Sequence, residues 1–190
     1  MHYRLTITDR ILDKTLLRLI PRWMTPNIIS WMRFMSVPIV GYLLWAENYA
    51  IALPFFFVSA FSDAIDGSLA RTRDLVSNFG KIFDPLADKL LVATAAIILI
   101  PRYLDWGITI AIVVIETILI TSAYVQRRYY GKMIQAENTG KIKMVLQSLG
   151  IVALLIHAIW NIGLLLTLAQ YFFYGAIFFA LISLVVYKAI

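Results

Sequence analysis

Ser62 to Lys89 reads SDAIDGSLARTRDLVSNFGKIFDPLADK and stands at the boundary between two strongly apolar segments. If Ser62 to Arg71 ends a helix, Asp63, Asp66, Gly67 and Ala70 fall at i, i+3, i+4 and i+7, so two carboxylates and two small residues share one stripe. Gly80, Asp84 and Asp88 are spaced four apart, and a helix beginning after Ser77-Asn78 aligns a small residue and two further carboxylates in the same way. Carboxylates gathered in a low-dielectric setting oppose one another's ionisation and each carries a desolvation cost, so a positive group belongs between them. The chain has no cysteine and no clustered histidine, and all-oxygen ligands select a hard cation. The expectation is two Mg2+ ions, with Mn2+ as the alternative. Gly67 and Gly80 let a phosphorylated ligand approach the backbone, and Arg71 offers a fork for phosphate oxygens.

The order Asp63-x2-Asp66-Gly67-x2-Ala70-Arg71-x8-Gly80-x3-Asp84-x3-Asp88 resembles the signature of the CDP-alcohol phosphotransferases at every position. Length and hydropathy extend the resemblance over nearly the whole chain. It implies transfer of a phosphatidyl-type group, inside a membrane, from a CDP-activated lipid to an alcohol with release of CMP. It also implies roles for individual residues: metal ligation by Asp63, Asp66, Asp84 and Asp88, general-base action by Asp88, and CDP-lipid contacts from Gly67, Arg71, Ser77 and Gly80. Thr25-Pro26-Asn27-Ile28-Ile29-Ser30 resembles the Pro-Asn turn that many members carry before their first span, which adds Asn27 to the CDP-lipid contacts. Members are commonly homodimers, and the same is implied here.

Composition independently points to a polytopic membrane protein. Of 190 residues, 61% are hydrophobic and only 15% charged, which is far from a soluble balance. The expected fold is all-α, a single membrane domain over residues 1–190. An amphipathic juxtamembrane helix at 1–24 precedes a bundle of six transmembrane helices at 25–190, each of roughly twenty residues. Within the first segment, Ile7, Ile11, Leu12, Leu16, Leu19 and Ile20 line one face, too polar overall to span. The six spans are expected near 28–46, 50–69, 83–100, 108–125, 145–166 and 170–187, with Pro101 stopping the third.

Charged residues inside these spans need an account of their own. Arg33 either snorkels to the interface or reaches the metal and phosphate site. Glu116 is a functional candidate, with a helix-to-helix hydrogen bond to a serine or threonine as the plain alternative. His157 has no second histidine near it and reads as a hydrogen-bonded core residue. Nearly all the lysines and arginines behind the formal charge of +6 lie in the N-terminal helix, the signature loop, the 126–143 connection and at Lys188. That asymmetry puts those loops, and the active site with them, on the cytoplasmic side of a multi-pass cell membrane protein, and makes nucleic acid an unneeded partner.

Arg127, Lys141 and Lys143 form a basic cluster suited to the phosphate of a phosphorylated alcohol, although positive-inside topology alone also supplies such residues. Phe83 to Lys89 and the Gly140-Lys141-Ile142-Lys143 run with Gln147 resemble the phosphatidylglycerophosphate synthases most and the cardiolipin synthases next. The implied acceptor is glycerol 3-phosphate, with a cardiolipin-type acceptor or inositol phosphate as alternatives. Two positions depart from the glycerophosphate pattern: Ile115 precedes Glu116 where arginine is usual, and Met144 stands where threonine is common. A cation-coupled transporter also uses intramembrane carboxylates, but it calls for broken helices in repeated halves, which the sequence lacks.

Overall fold

The computed structural model describes Leu17, Ile20, Pro21 and residues 24–73, 80–130 and 138–188, and leaves aside the side chains at 63, 64, 71, 80–85, 123–130, 138 and 185–188. The described residues form six helices: α1 (Pro26–Trp45), α2 (Tyr49–Thr72), α3 (Gly80–Tyr103), α4 (Trp106–Tyr130), α5 (Asn138–Trp160) and α6 (Gly163–Lys188). Among the described residues there is no strand. The amphipathic helix expected at 1–24 falls mostly outside them. By length and composition α1, α2 as far as Ala70, α5 from Thr139 and α6 as far as Leu184 are sufficient to cross a membrane, and α4 contributes a shorter apolar run, Trp106–Ser122. Trp31, Met32, Met35, Ile39, Tyr42 and Trp45 are all exposed along α1, a surface that lipid tolerates and water does not.

The chain divides into two compact units, residues 1–94 and 95–190. In the first, α1 and α2 pack as an antiparallel hairpin joined by Ala46, Glu47 and Asn48. The corner is a Schellman turn: Asn48 N–H donates to Leu43 O at 2.8 Å and Glu47 N–H to Leu44 O at 3.2 Å. Glu47 takes the left-handed conformation, with φ 59°, that glycine usually supplies at this position. Val40, Leu44, Ala52 and Phe56 are fully buried in this unit, and a cluster of Leu17, Ile29 and Leu69 seats the residues before α1 against the end of α2. A Cβ on Gly41 would lie 3.1 Å from Thr94 Cγ2, so α1 and α3 approach closely there.

In the second unit α5 and α6 form the most extensive helix pair. Gly150 meets the buried ring of Phe173 so closely that a Cβ would stand 2.8 Å from Phe173 Cζ. Ile115 and Leu119 of α4 cluster with Ala180 of α6, flanked by Ile177 and Leu184. The break between these last two helices falls at Asn161, not in the expected 167–169 connection. Asn161 has φ 52° and its N–H closes on His157 O at 2.7 Å, a C-terminal turn that asparagine adopts at low cost. The dip in hydropathy here is brief, with apolar residues resuming at Ile162, which is why patterning misses it. Likewise α3 runs through Pro101 to Tyr103, because a proline in the last turn removes only one ladder bond, and Leu104 N–H still reaches Ile100 O at 2.7 Å.

Candidate active site

The first half of the signature is the C-terminal part of α2, and the second half opens α3. Asp63, Asp66, Gly67 and Arg71 therefore lie on α2, and Gly80, Asp84 and Asp88 on α3, with the helical spacings read from the sequence. Ser77 and the side chains of Asp63, Arg71 and Asp84 lie outside the described residues. Asp88 is half-buried on α3, and Asn27 is half-buried in the first turn of α1. α2 stops at Arg73, whose guanidinium donates to Ile20 O at 2.8 Å and to Leu17 O and Pro21 O, each at 3.3 Å. The turn after the first aspartates is thereby tied to the backbone that leads into α1.

Asp66 is buried at 2% exposure, and its charge is met by Arg33 of α1, which is 1% exposed. Arg33 Nη2 stands 2.6 Å from Asp66 Oδ2. Its Nε donates to Ser62 Oγ at 2.9 Å. Ser30 Oγ adds a long contact of 3.5 Å to the same carboxylate oxygen while donating to Pro26 O at 3.0 Å. Of the two readings of Arg33, the structure chooses the one that turns inward. Sequence reasoning missed the serines that make this possible. The signal was present: Ser59, Ser62 and Asp66 recur at helical spacing as a polar stripe on an otherwise apolar helix, and such a stripe needs polar partners on the facing helix.

In the second unit Lys143 of α5 is buried and its Nζ lies 2.5 Å from Glu116 Oε1 of α4. Gln147, one turn beyond Lys143, donates to the same oxygen at 3.3 Å. Glu116 thus takes a charged partner and not the serine or threonine of the plain alternative. An ammonium has three donors, and among the described residues Glu116 accepts one of them. Lys141 is exposed on the next face of α5, and Arg127 lies on α4 with its side chain outside the described residues. His157 sits in the last turn of α5, not mid-helix, where its Nδ1 lies 3.0 Å from Ile162 O and its ring packs edge-on to Tyr103.

The four signature aspartates offer carboxylate oxygens alone, a chemistry that suits a hard cation, and Asp66 is buried. Among the described residues no three histidine, cysteine, aspartate or glutamate side chains cluster, two of the four signature carboxylates being outside that set.

The sequence profile of the CDP-alcohol phosphatidyltransferases matches residues 23–184, from before α1 to near the end of α6. The chain belongs to the CDP-alcohol phosphatidyltransferase family. Within this family it is 34% identical over 128 residues, 67% of this chain and 66% of the other, to the CDP-diacylglycerol–glycerol-3-phosphate 3-phosphatidyltransferase of Bacillus subtilis (strain 168). It is 35% identical over 103 residues, 54% of this chain and 31% of the other, to the chloroplastic CDP-diacylglycerol–glycerol-3-phosphate 3-phosphatidyltransferase 1 of Oryza sativa subsp. japonica. It is 36% identical over 105 residues, 55% of this chain and 18% of the other, to a cardiolipin synthase (CMP-forming)/mitochondrial hydrolase fusion protein of Schizosaccharomyces pombe. The chain thus spans from 18% to 66% of the length of these CDP-alcohol phosphatidyltransferase relatives.

Proposed function

We propose that this protein transfers a phosphatidyl group from CDP-diacylglycerol to glycerol 3-phosphate, yielding phosphatidylglycerophosphate and CMP. It does so as a single six-span domain over residues 1–190, with the site facing the cytoplasm across a cell membrane and with a second copy as partner. The observation that carries this reading is the buried Asp66 carboxylate at the end of an apolar helix, inside a signature with no position missing. An ionisable group buried within an apolar helix is by default a functional candidate, and carboxylates at i and i+3 on one helix and i and i+4 on the next suit polyvalent cations.

Asp63, Asp66 and Asp84, with Asp88 contributing least, would hold two divalent cations, Mg2+ or Mn2+, and these would neutralise the diphosphate and the charge on departing CMP. The chain's own groups do the rest. Arg71 binds the diphosphate, and Asn27, Gly67, Ser77 and Gly80 border the nucleotide. Lys143, Lys141 and Arg127 take the acceptor's phosphate. Asp88 accepts the proton of the acceptor hydroxyl as its oxygen bonds to the lipid-bearing phosphorus, and the bond from that phosphorus to the bridging oxygen breaks to release CMP. His157 does not serve as the base, because it is engaged at the end of α5.

A second reading, a cardiolipin-type acceptor, is favoured by the similarity to the fission-yeast protein of that name. Purified protein supplied with radiolabelled CDP-diacylglycerol and one acceptor at a time separates the two. Glycerol 3-phosphate should give labelled phosphatidylglycerophosphate, abolished by EDTA. Product from phosphatidylglycerol alone would establish the second reading, and transfer to no acceptor would defeat both.

A further inference from the structure

Arg33 is held more firmly than a mere counter-charge requires. Its Nε is bound by Ser62 at 2.9 Å and its Nη2 by Asp66 at 2.6 Å, so from α1 its guanidinium spans two successive turns of α2. Ser62 Oγ donates to Ser59 O at 2.7 Å, Ser59 Oγ to Ser36 Oγ at 2.7 Å, and Ser36 Oγ back to the carbonyl of Arg33 at 2.6 Å. Through the backbone and then the hydroxyl of Ser59, these bonds link the residues that hold the guanidinium to the backbone of Arg33 itself.

We propose that Arg33 is the positioning residue for Asp66: by holding Oδ2 from an anchored guanidinium it sets the orientation in which the carboxylate meets the cation. This rests on the reading of Asp66 as a metal ligand. The opposite role, a guanidinium that competes with the ion and withdraws when it arrives, fits the geometry poorly. Arg33 is 1% exposed, and withdrawal would break its charge-assisted bond while leaving its charge buried. Outer-shell partners of ligating groups commonly sustain tenfold to hundredfold of metal affinity by fixing ligand orientation. A charge that served only to neutralise Asp66 would not need the serine relay.

The test is Mn2+ binding by the full chain in lipid nanodiscs, without substrates, read from the loss of the aqueous Mn2+ electron paramagnetic resonance signal. Melting is measured in parallel without metal. Asp66→Asn should weaken binding most. Arg33→Gln should weaken it by roughly tenfold to a hundredfold, with Arg33→Lys recovering part of the loss. Ser62→Ala keeps the ion pair and frees only Nε, and should weaken binding by roughly twofold to tenfold, the scale of one hydrogen bond. It supplies the answer if Arg33→Gln does not fold. Unchanged or tighter Mn2+ binding in Arg33→Gln, whatever its melting temperature, overturns the inference while a weakened Asp66→Asn leaves the metal reading standing. If Arg33→Gln does not fold, unchanged binding in Ser62→Ala overturns it. Wild-type affinity in Asp66→Asn overturns both.

Discussion

Replacing Lys143 by methionine removes one charge from a pair whose side chains are 6% and 23% exposed and only 2.5 Å apart. Breaking a fully buried pair from one side costs about 3–5 kcal/mol, and the partial exposure of Glu116 lowers this to about 2–3 kcal/mol of stability. Glu116→Gln does comparable damage from the other side, and the double variant, which leaves no unpaired charge, should return to within about 1 kcal/mol of wild type. Catalysis separates from stability in this cycle. If Lys143 also grips the acceptor's phosphate, its loss removes a charge-assisted bond of about 1.5–3 kcal/mol. That lowers acceptor kcat/KM by roughly tenfold or more, and the double variant stays equally impaired. Donor KM should barely move in any of the three. The assays are thermal melting in detergent and initial rates with glycerol 3-phosphate varied at saturating CDP-diacylglycerol. Recovery of acceptor kcat/KM in the double variant would refute the assignment, because Lys143 would then be no more than the partner of Glu116.

Asp88→Asn should leave Mn2+ and CDP-lipid binding within a few-fold of wild type and cut turnover by about a hundredfold or more, the scale of general-base loss. Loss of metal binding in that variant, with the other three aspartates intact, would make Asp88 a ligand first. Gly150→Ala forces the Phe173 ring to shift and should destabilise by about 1–3 kcal/mol, whereas Gly140→Ala, with nothing within 4 Å of the new Cβ, should be neutral or stabilise by up to about 1 kcal/mol; equal melting temperatures would contradict the packing. For topology, cysteines at Asn48 and Asn161 should react with an impermeant thiol reagent added outside intact cells, and a cysteine at Gly131 should not. Outside labelling at Gly131 would invert the orientation and with it the cytoplasmic site.

What the sequence made legible were features that live on one helix. The stripe of Asp63, Asp66 and Gly67 needs only the helical repeat to be seen, and α2 carries it as expected. The partners of those groups were harder to see because they come from elsewhere in the chain. Arg33 and Asp66 are separated by 33 positions, and Glu116 and Lys143 by 27, so local spacing says nothing of either pair. A basic residue one turn inside a span looks the same whether it snorkels outward or turns inward. The corner at Ala46 to Asn48 was visible because apolarity falls there. The one at Asn161 was not, since a single asparagine between Trp160 and Ile162 turns the chain by its tolerance of positive φ and interrupts the apolar run only briefly.

The short corner at Glu47 also bears on biogenesis. With three residues between them, α1 and α2 are joined closely enough to enter a membrane together as a hairpin. A lone arginine or aspartate in a span carries an insertion penalty that reaches about 2.5–3.5 kcal/mol at the bilayer centre and falls towards the helix ends, where Arg33 and Asp66 lie. Because Arg33 and Asp66 face each other across this hairpin, joining before they meet hydrocarbon lets both enter as a neutral couple. A longer or looser corner would hold the two charges together less closely, so the cap that ends α1 also favours the meeting of Arg33 and Asp66.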